Sequence, residues 1–233
     1  MTQGARASRP PLRLILLGAP GTGKGTQANL LANYLGVVHI STGDMLREAV
    51  AKRTPLGQAV EGIMGQGKLV PDELMIQLVS ERLQAADCQS GFILDGFPRT
   101  LAQAKALDGL LQEQGKAIDL VLMLEVPAAE IVSRLSNRRV CAGCGAVYNL
   151  LTDGVARSGV CPLCGGQLVQ RPDDAEATVR NRLKVYERQT APLRRYYRRQ
   201  GKLCTIDGAR SISEVEQAVK EAVQRVVMTT SSR

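Results

Sequence analysis

The sequence has few aromatic residues, one histidine and no long apolar run, and each shortage narrows the possible functions. Aromatic residues make up 3% of the 233 residues and tryptophan is absent, so the chain has little with which to stack single-stranded bases. No apolar stretch approaches the length of a membrane span. The histidine, His39 in VVHIST, is interpreted as a strand or packing residue and not as a catalyst. The length suits one large domain with small insertions.

The net charge of +8 is not spread evenly along the chain. Residues 1–130 contain 12 Lys and Arg against 13 Asp and Glu, whereas residues 131–233 contain 18 against 9. Such a basic region suits contact with nucleic acid, an anionic membrane or small polyphosphates. A solvated basic helix face is the alternative explanation for LRRYYRRQ at positions 193–200.

The first residues of the sequence indicate the cellular compartment, and the compartment in turn affects how the paired cysteines are interpreted. MTQGARASRPP contains arginines but lacks the apolar core of a secretory signal. We therefore expect a cytoplasmic protein, with disordered tails at 1–11 and 228–233. In a reducing cytoplasm, paired cysteines indicate a metal site more than disulfides.

Apolar runs alternate with helical periodicity along most of the chain, which predicts an α/β fold with a doubly wound parallel sheet. The predicted buried strands are 12–18, 91–96, 119–126 and 202–207. The predicted helices are 24–35, 72–86, 100–114, 128–136, 174–200 and 211–227. Two stretches depart from this alternation, a mostly helical one at 41–70 and a glycine- and cysteine-rich one at 137–174. We interpret both as insertions into a core formed by 12–40, 71–136 and 175–227.

The heptapeptide GAPGTGK at positions 18–24 follows a predicted strand and precedes a predicted helix, as a phosphate-binding loop requires. Its glycines let backbone N–H groups turn toward phosphate oxygens, and Lys24 adds a full positive charge. The general motif continues with Ser or Thr, but this chain has Gly25 and then Thr26, which leaves the usual hydroxyl contact to magnesium open. Asp95 ends the predicted strand FILD, where a carboxylate can hold magnesium through water.

Arginines stand near the same motifs, and phosphoryl transfer needs positive charge over the transferred group. The candidates are Arg47, Arg99, Arg134, Arg138, Arg171, Arg180 and Arg182. A single arginine is more often a surface residue, so these arginines become candidates only through the motifs around them.

Six motifs, in order along residues 12–227, resemble the adenylate kinase family in its long form with an extended lid. They are GAPGTGKGTQ, ISTGDMLR, GKLVPDEL, GFILDGFPRT, RRVC and DDAEATVRNRL. The resemblance implies a phosphate-loop NTPase-type fold and the reversible, Mg²⁺-dependent transfer of the γ-phosphoryl group of ATP to AMP, giving two ADP. It also implies a monomer whose partners are ATP, AMP and ADP, with no nucleic acid and no membrane.

The resemblance further implies roles for individual residues. It places ATP against Gly21, Thr22, Gly23, Lys24, Gly25, Thr26, Arg134, Arg138, Val147, Tyr148 and Arg210. It makes 41–70 a flap over AMP and places AMP against Thr42, Arg47, Lys68, Leu69, Val70, Gly96, Phe97, Pro98, Arg99, Gln103, Arg171 and Arg182, with Gln103 on the adenine edge. The implied catalytic residues are Lys24, Arg99, Arg138, Arg171 and Arg182, while Asp173 and Asp174 are the implied hinge and lock residues of the lid.

Four cysteines in the 137–174 stretch follow the pattern C-x2-C-x16-C-x2-C, which is typical of a zinc site. They are Cys141, Cys144, Cys161 and Cys164. Four protein ligands leave no open position, so Zn²⁺ would be structural and would replace a core that this short stretch cannot build. Two redox-active pairs are the alternative, although some long-lid adenylate kinases carry cysteine zinc sites at this place. Cys88 and Cys204 are interpreted as small buried hydrophobic residues.

Two other functions agree with parts of the pattern. A nucleoside monophosphate kinase with another acceptor base, or with a lid that prefers GTP, would share nearly all of these motifs. An NTP-dependent nucleic-acid-binding protein with a zinc ribbon would explain the basic region and the cysteines, but not DGFPRT or the 41–70 insertion. That alternative predicts salt-sensitive binding to RNA or DNA.

Overall fold

A five-stranded parallel sheet forms the centre of the molecule. The structure is a computed structural model that describes residues 11–230, without the side chains at positions 155, 229 and 230. Its strands are β1 (Leu12–Leu17), β2 (Val38–Ser41), β3 (Gly91–Asp95), β4 (Leu120–Glu125), β5 (Arg138–Cys141), β6 (Val147–Asn149), β7 (Leu168–Val169) and β8 (Leu203–Asp207). The main sheet has the order β2-β3-β1-β4-β8, which confirms the predicted α/β fold.

Strand β1 lies in the middle of this sheet because both of its faces are apolar. It pairs in parallel with β3, with Leu12 opposite Gly91, and with β4, with Leu14 opposite Leu120. Its last four residues are all buried, as is typical of a parallel strand covered on both sides. Because the five strands run in one direction, their carboxyl ends share one edge, where ligands bind in open α/β sheets.

Helices cover both faces of the main sheet. They are α1 (Lys24–Leu35), α2 (Thr42–Ala51), α3 (Pro55–Gly65), α4 (Asp72–Leu83), α5 (Leu101–Gln112), α6 (Ala128–Ser136), α7 (Glu176–Val185), α8 (Leu193–Arg199) and α9 (Ile212–Thr230). Leu14 packs with α1 and α9 on one face, whereas its neighbour Ile15 packs with α4, α5 and α8 on the other. This alternation follows from the two-residue period of a strand.

Polar caps fix where two helices of the ligand edge begin. The Ser41 hydroxyl accepts a hydrogen bond from the Asp44 backbone N–H at the start of α2, and the Thr100 hydroxyl accepts one from the Gln103 N–H at the start of α5. Each cap satisfies a backbone donor that has no partner within the helix. The caps therefore hold Asp44 and Gln103 in the first turns of helices that start at the edge of the sheet.

A second, antiparallel sheet lies apart from the first and has the order β6-β5-β7. Val140 in β5 pairs with Val147 on one side and with Val169 on the other. Its strands are two to four residues long, too short to produce a recognisable alternation in the sequence. The sequence analysis therefore missed this sheet.

The single helix predicted at 174–200 was wrong. α7 ends at Val185, a π-helical turn follows over Tyr186–Thr190, and α8 begins at Leu193. Pro192 has no N–H with which to continue an α-helix. The N–H of Ala191 donates to the Tyr186 carbonyl, five residues back, and this wider turn separates α7 from α8.

Other boundaries also differ from those expected. β2 was absent from the predicted strands because only four residues form it, and α9 continues through Thr230, past the predicted end at 227. Of the tails expected at 1–11 and 228–233, residues 228–230 are instead part of α9, whereas residues 1–10 and 231–233 lie outside the described residues. No helix in the described part of the chain is long and apolar enough to cross a membrane.

Candidate active site

The phosphate-binding loop connects the carboxyl end of β1 to α1 and curves around Lys24. The Lys24 ammonium donates hydrogen bonds to the carbonyls of Gly18 and Ala19, each at 2.8 Å. Gly18 has φ +145°, and a Cβ there would lie 2.6 Å from the Leu124 carbonyl oxygen. Gly23 has φ +89°. Only glycine adopts these conformations readily, so the glycine pattern read in the sequence has a direct steric cause.

The environment of Lys24 is strongly positive. The pKa of its ammonium is lowered to about 8, chiefly by burial and also by the nearby Arg99, Arg182 and Arg138, against the opposing effect of Asp95. Because its surroundings disfavour the charged form of Lys24, a bound anion would strongly stabilise the charged ammonium. The loop is therefore built for a ligand that carries several negative charges.

Asp95 lies at the end of β3, beside the start of α1. A Cβ at Gly25 would be 3.5 Å from Asp95 Oδ2, so the residue that departs from the general loop motif keeps the space next to this carboxylate open. His39 Nε2 lies 3.6 Å from Asp95 Oδ2. His39 is thus a strand residue of β2, as interpreted, but its ring also contacts the carboxylate of the site, which the sequence analysis missed.

Two buried or half-buried carboxylates bind an arginine of β5 and an arginine of α7. Asp174 is fully buried and accepts two hydrogen bonds from Arg138, at 2.7 Å from Nε and 2.5 Å from Nη2. Arg182 Nη1 lies 3.3 Å from Asp174 Oδ1 and 2.9 Å from Asp173 Oδ2. Such a two-pronged pair fixes the guanidinium plane as well as its position.

Three further arginines face the same space. Arg47 Nη1 lies 4.0 Å from Asp173 Oδ2, and Arg171 Nη2 lies 3.6 Å from Asp44 Oδ1. Arg99 Nε donates a hydrogen bond to the carbonyl of Gly96, three residues earlier in the same turn. The pKa of Arg99 falls to about 10, through burial and then through Arg182, and that of Arg171 falls to about 10, through burial and then through Arg47.

Beyond the effect of burial, the lowered pKa values of Arg99 and Arg171 indicate that cations outweigh carboxylates in this cluster. Arg171 adds a second observation, since its Nε is buried without a hydrogen-bond partner within the described residues. A buried donor of this kind is costly unless a ligand satisfies it. Arg180, by contrast, pairs with Glu176 on the exposed side of α7 and does not join the cluster.

An open cavity lies beside the arginine cluster. Its lining includes many of the residues implied for AMP, namely Thr42, Arg47, Lys68, Leu69, Val70, Gly96, Arg99, Gln103 and Arg182. It also includes residues that the sequence analysis did not name, namely Gly43, Leu46, Met64, Gly67 and Met75. Apolar side chains on one side and arginines on the other suit a ligand with a flat base and a phosphate.

Three residues implied for AMP are absent from this lining, namely Arg171, which belongs to the arginine cluster, and Phe97 and Pro98. The Phe97 side chain is 1% exposed and belongs to the hydrophobic core, so only its backbone faces the turn that carries Arg99. Pro98 is buried and is absent from the cavity lining. The motif GFPRT therefore serves partly to anchor the Arg99 turn in the core.

Comparison with known proteins supports the family that the sequence motifs resemble. Residues 16–202 match the family model for adenylate kinase. The chain is 55% identical to an adenylate kinase of Trichlorobacter lovleyi over 212 residues, 91% of this chain and 99% of that protein. Adenylate kinases of Carboxydothermus hydrogenoformans and Archaeoglobus fulgidus are each 51% identical, over 92% of this chain and 100% and 99% of those proteins.

This chain belongs to the adenylate kinase family. The family consists of phosphotransferases that act on ATP and AMP, which confirms the enzyme class that the six motifs predicted. The basic region and the cysteines are accordingly parts of a kinase and do not indicate a nucleic-acid-binding protein.

The second sheet of this adenylate kinase has two chemically different faces. Directly paired residues share a face, so Val147, Val140 and Val169 form one row on the same side as Arg138. Val147 is 51% exposed and Val169 38%. Since Arg138 reaches Asp174 from this face, the valine row lies on the side of the arginine cluster.

Tyr148 lies on the opposite face of that sheet. Its hydroxyl is 3.3 Å from Cys161 Sγ, so the side chain points toward the cysteines and away from the arginines. Of the pair Val147 and Tyr148 implied for ATP, only Val147 presents its side chain to the arginine side.

Two further residues implied for ATP form ion pairs within their own segments. Arg134 pairs with Glu130, and Arg210, whose side chain is 59% exposed, pairs with Asp207.

The four cysteines form a group that can hold a metal ion. Their Sγ atoms all lie within 4.8 Å of one another, with 3.3 Å between Cys141 and Cys164 and 3.7 Å between Cys144 and Cys161. Four sulfurs around a tetrahedral zinc ion would be about 3.8 Å apart. A Cβ at Gly166 would lie 2.9 Å from Cys141 Sγ, so that glycine leaves room for the sulfurs.

Proposed function

We propose that ATP binds on the phosphate loop, AMP binds in the cavity, and the arginine cluster between them promotes transfer of the γ-phosphoryl group. The observation that supports this arrangement is the convergence of Lys24 with Arg99, Arg138, Arg171 and Arg182 between the loop and the cavity. An oxygen of the AMP phosphate attacks the γ-phosphorus, and ADP leaves from the opposite side. The second product is the ADP formed from AMP.

The proposed chemistry needs positioning and charge more than proton transfer. The attacking phosphate oxygen is already anionic, so no general base is required, and His39 has no such role. Positive side chains over the equatorial oxygens stabilise the transition state, and one arginine in that position accelerates transfer by about 10³- to 10⁵-fold. In this proposal Lys24, Arg138, Arg171 and Arg182 supply that charge, while Arg99 holds the AMP phosphate.

On the acceptor side, 41–70 acts as a flap over AMP. Arg47 and Arg99 hold its phosphate, and the Lys68–Val70 backbone lies beside its ribose and base. Thr42 is 1% exposed and hydrogen-bonds to the Asp95 carbonyl, so its contribution is to hold the floor of the cavity. Gln103 reads the adenine edge.

On the donor side, 137–174 acts as a lid over ATP. Arg134 and Arg138 contact the ATP at the base of the lid, and the valine row gives the base or ribose an apolar surface. Tyr148 contributes through its backbone, and Arg210 lies near the adenine mainly through its backbone. Mg²⁺ bound with ATP supplies charge neutralisation, and Asp95 is placed to hold it through water, beside the space left by Gly25.

Zn²⁺ is the metal that best fits the four cysteines, because tetrahedral thiolate sites are typical of structural zinc. With four protein ligands it leaves no open position, so it stabilises the lid and takes no part in transfer. We place the enzyme in the cytoplasm, as a monomer, where reduced thiols remain available for the metal.

The purified protein with Mg-ATP and each of AMP, CMP, UMP and GMP, compared with no acceptor, tests this function. We expect ADP formation to be strong with AMP and weak with the other three. Turnover of equal strength with GMP or CMP would point to a kinase of another base preference. ATP consumption that is independent of any monophosphate would contradict the proposal.

A further inference from the structure

Asp72 contacts the base-reading residue of the cavity without lining the cavity itself. It is the first residue of α4, and its carboxylate accepts hydrogen bonds from Gln103 Nε2 at 2.7 Å and from the Thr100 hydroxyl at 2.9 Å. Gln103 is 1% exposed, and its Oε1 accepts a hydrogen bond from the Arg99 backbone N–H at 2.7 Å. The Gln103 carboxamide thus has a defined partner at each end.

These two partners allow only one orientation of the amide. A carboxylate only accepts hydrogen bonds, so the NH₂ end of Gln103 must face Asp72. A backbone N–H only donates, so the oxygen of Gln103 must face Arg99. A rotation of the amide by 180° would place donor against donor and acceptor against acceptor, and both hydrogen bonds would be lost.

The orientation of this amide determines which purine edge it can match. After these contacts, Oε1 can still accept one hydrogen bond and Nε2 can still donate one. A 6-amino purine presents a donor at position 6 and an acceptor at N1, whereas a 6-oxo purine presents the reverse. A base held in one pose therefore pairs with only one orientation of the amide.

We propose that Asp72 is a positioning residue that fixes the Gln103 amide and thereby makes the cavity select 6-amino over 6-oxo purine monophosphates. The inference rests on the proposed function, in which the AMP base lies against Gln103. Thr100 supports the same arrangement from the other side, since its hydroxyl holds the second oxygen of Asp72 while capping α5.

Asp72→Asn tests the inference, because an amide at this position can either accept or donate, so only the Arg99 N–H still favours one orientation of Gln103 and the flipped amide loses one hydrogen bond instead of two. Asp72→Ser, whose hydroxyl has the same freedom, is a second variant in case the first is unstable. The control is Glu73→Gln, which removes the same charge from the adjacent exposed residue in the first turn of α4. The probes are AMP and inosine monophosphate, which carries a 6-oxo group and an N1–H.

The readout is the AMP-to-inosine-monophosphate ratio of kcat/KM, together with the ratio of dissociation constants measured by calorimetry. We expect Asp72→Asn and Asp72→Ser to lower both ratios by roughly five- to tenfold, the effect of about one hydrogen bond, and Glu73→Gln to leave them unchanged. An unchanged ratio in a folded variant would overturn the inference, even if kcat/KM fell equally for both acceptors. A wild-type protein that does not bind AMP would instead show that the proposed function fails.

Discussion

At the scale of single residues, the site depends on a few buried charges that hold one another in place. Asp174 is fully buried and binds both Arg138 and Arg182. Removing one member of such a group leaves an uncompensated buried charge, which costs more than the pair contributes when it is intact. The implied lid residue Asp174 is therefore also a stability residue.

Asp174→Asn should lower the free energy of unfolding by about 3 kcal/mol, because Arg138 loses its buried counter-charge. Urea unfolding followed by circular dichroism measures this. Glu176→Gln is the matched control, since Glu176 is exposed and pairs only with Arg180 within its own helix; there we expect a change below about 0.5 kcal/mol. A loss of similar size in both variants would contradict the account of Asp174.

The pKa of Lys24, about 8 in the free enzyme, predicts an alkaline loss of ATP binding. Above pH 8 the ammonium loses its charge, so kcat/KM for Mg-ATP should fall with an apparent pKa near 8. The effect on stability has the opposite sign: the pKa is below its ordinary value, so the cost of burying the cation is present in full below pH 8 and is relieved between pH 8 and 10.5.

A pH profile from 6.5 to 9.5 provides the measurement, with Lys24→Arg as comparison. Arginine keeps its charge over this range, so the residual activity of that variant should show no fall near pH 8. A wild-type profile that stays flat to pH 9.5 would show that Lys24 is not the titrating group.

At the scale of elements, the second sheet is too small to fold on its own hydrophobic core. The hydrophobic cluster that packs around it has four buried residues in the described part of the chain, Cys141, Ala156, Cys161 and Leu168, and two of these are candidate metal ligands. Burying two small or medium apolar side chains contributes only a few kcal/mol, far less than the entropy of ordering the stretch. The proposed Zn²⁺ would supply further stability to this stretch.

Metal removal should therefore lower the melting temperature by about 5 °C or more, and Cys161→Ser should do the same. We expect kcat, measured well below the new melting temperature, to change less than about tenfold. Cys204→Ser, at a half-buried cysteine of β8, is the control and should leave metal content unchanged. Elemental analysis that finds no metal, with a melting temperature insensitive to chelation, would rule out a structural metal.

At the scale of the whole molecule, ion pairs connect the 41–70 stretch with the end of the 137–174 stretch. Arg171 pairs with Asp44, and Arg47 lies 4.0 Å from Asp173. Asn181 Nδ2 also donates to the Gln66 carbonyl at 2.6 Å, which joins α7 to the end of the flap. The arginines that we propose to bind phosphate thus pair with carboxylates across these two stretches.

Asp44→Asn should make the 137–174 stretch open more often, because Arg171 and Arg47 lose a shared partner. Ion pairs that are partly exposed contribute up to about 1 kcal/mol, so hydrogen exchange in that stretch should accelerate by up to about fivefold. Mass spectrometry after deuterium labelling measures this. Glu48→Gln, in the same helix but paired with Lys52, should have no effect; equal acceleration in both would exclude the Asp44 contact as the cause.

Some of the site was predictable because its residues are close in sequence. The phosphate loop needs glycines at fixed offsets from Lys24, since the backbone must adopt positive φ within a few residues. The cysteine pattern was readable for the same reason: two tight turns each present two thiols at a spacing of three residues. These local rules operate before the chain has any tertiary structure.

Other features were not predictable because they join distant parts of the chain. Asp72 and Gln103 meet across 31 positions, and His39 reaches Asp95 only because β2 pairs with β3. The break near Pro192 and the three short strands of the second sheet likewise depend on what packs beside them. No single stretch contains the pairing partner, so periodicity alone cannot reveal it.

The sequence by itself determined the α/β alternation, the phosphate loop, the four-cysteine group and membership in a phosphotransferase family, because each follows from local backbone sterics, apolar periodicity or motif order. Only the tertiary structure decided which arginines face the site and how the Gln103 amide is oriented. It also decided that Val147, and not Tyr148, lies on the face of the second sheet that is turned toward the arginines. Those outcomes depend on strand register and on buried charges finding partners, and both are fixed only when distant segments pack together.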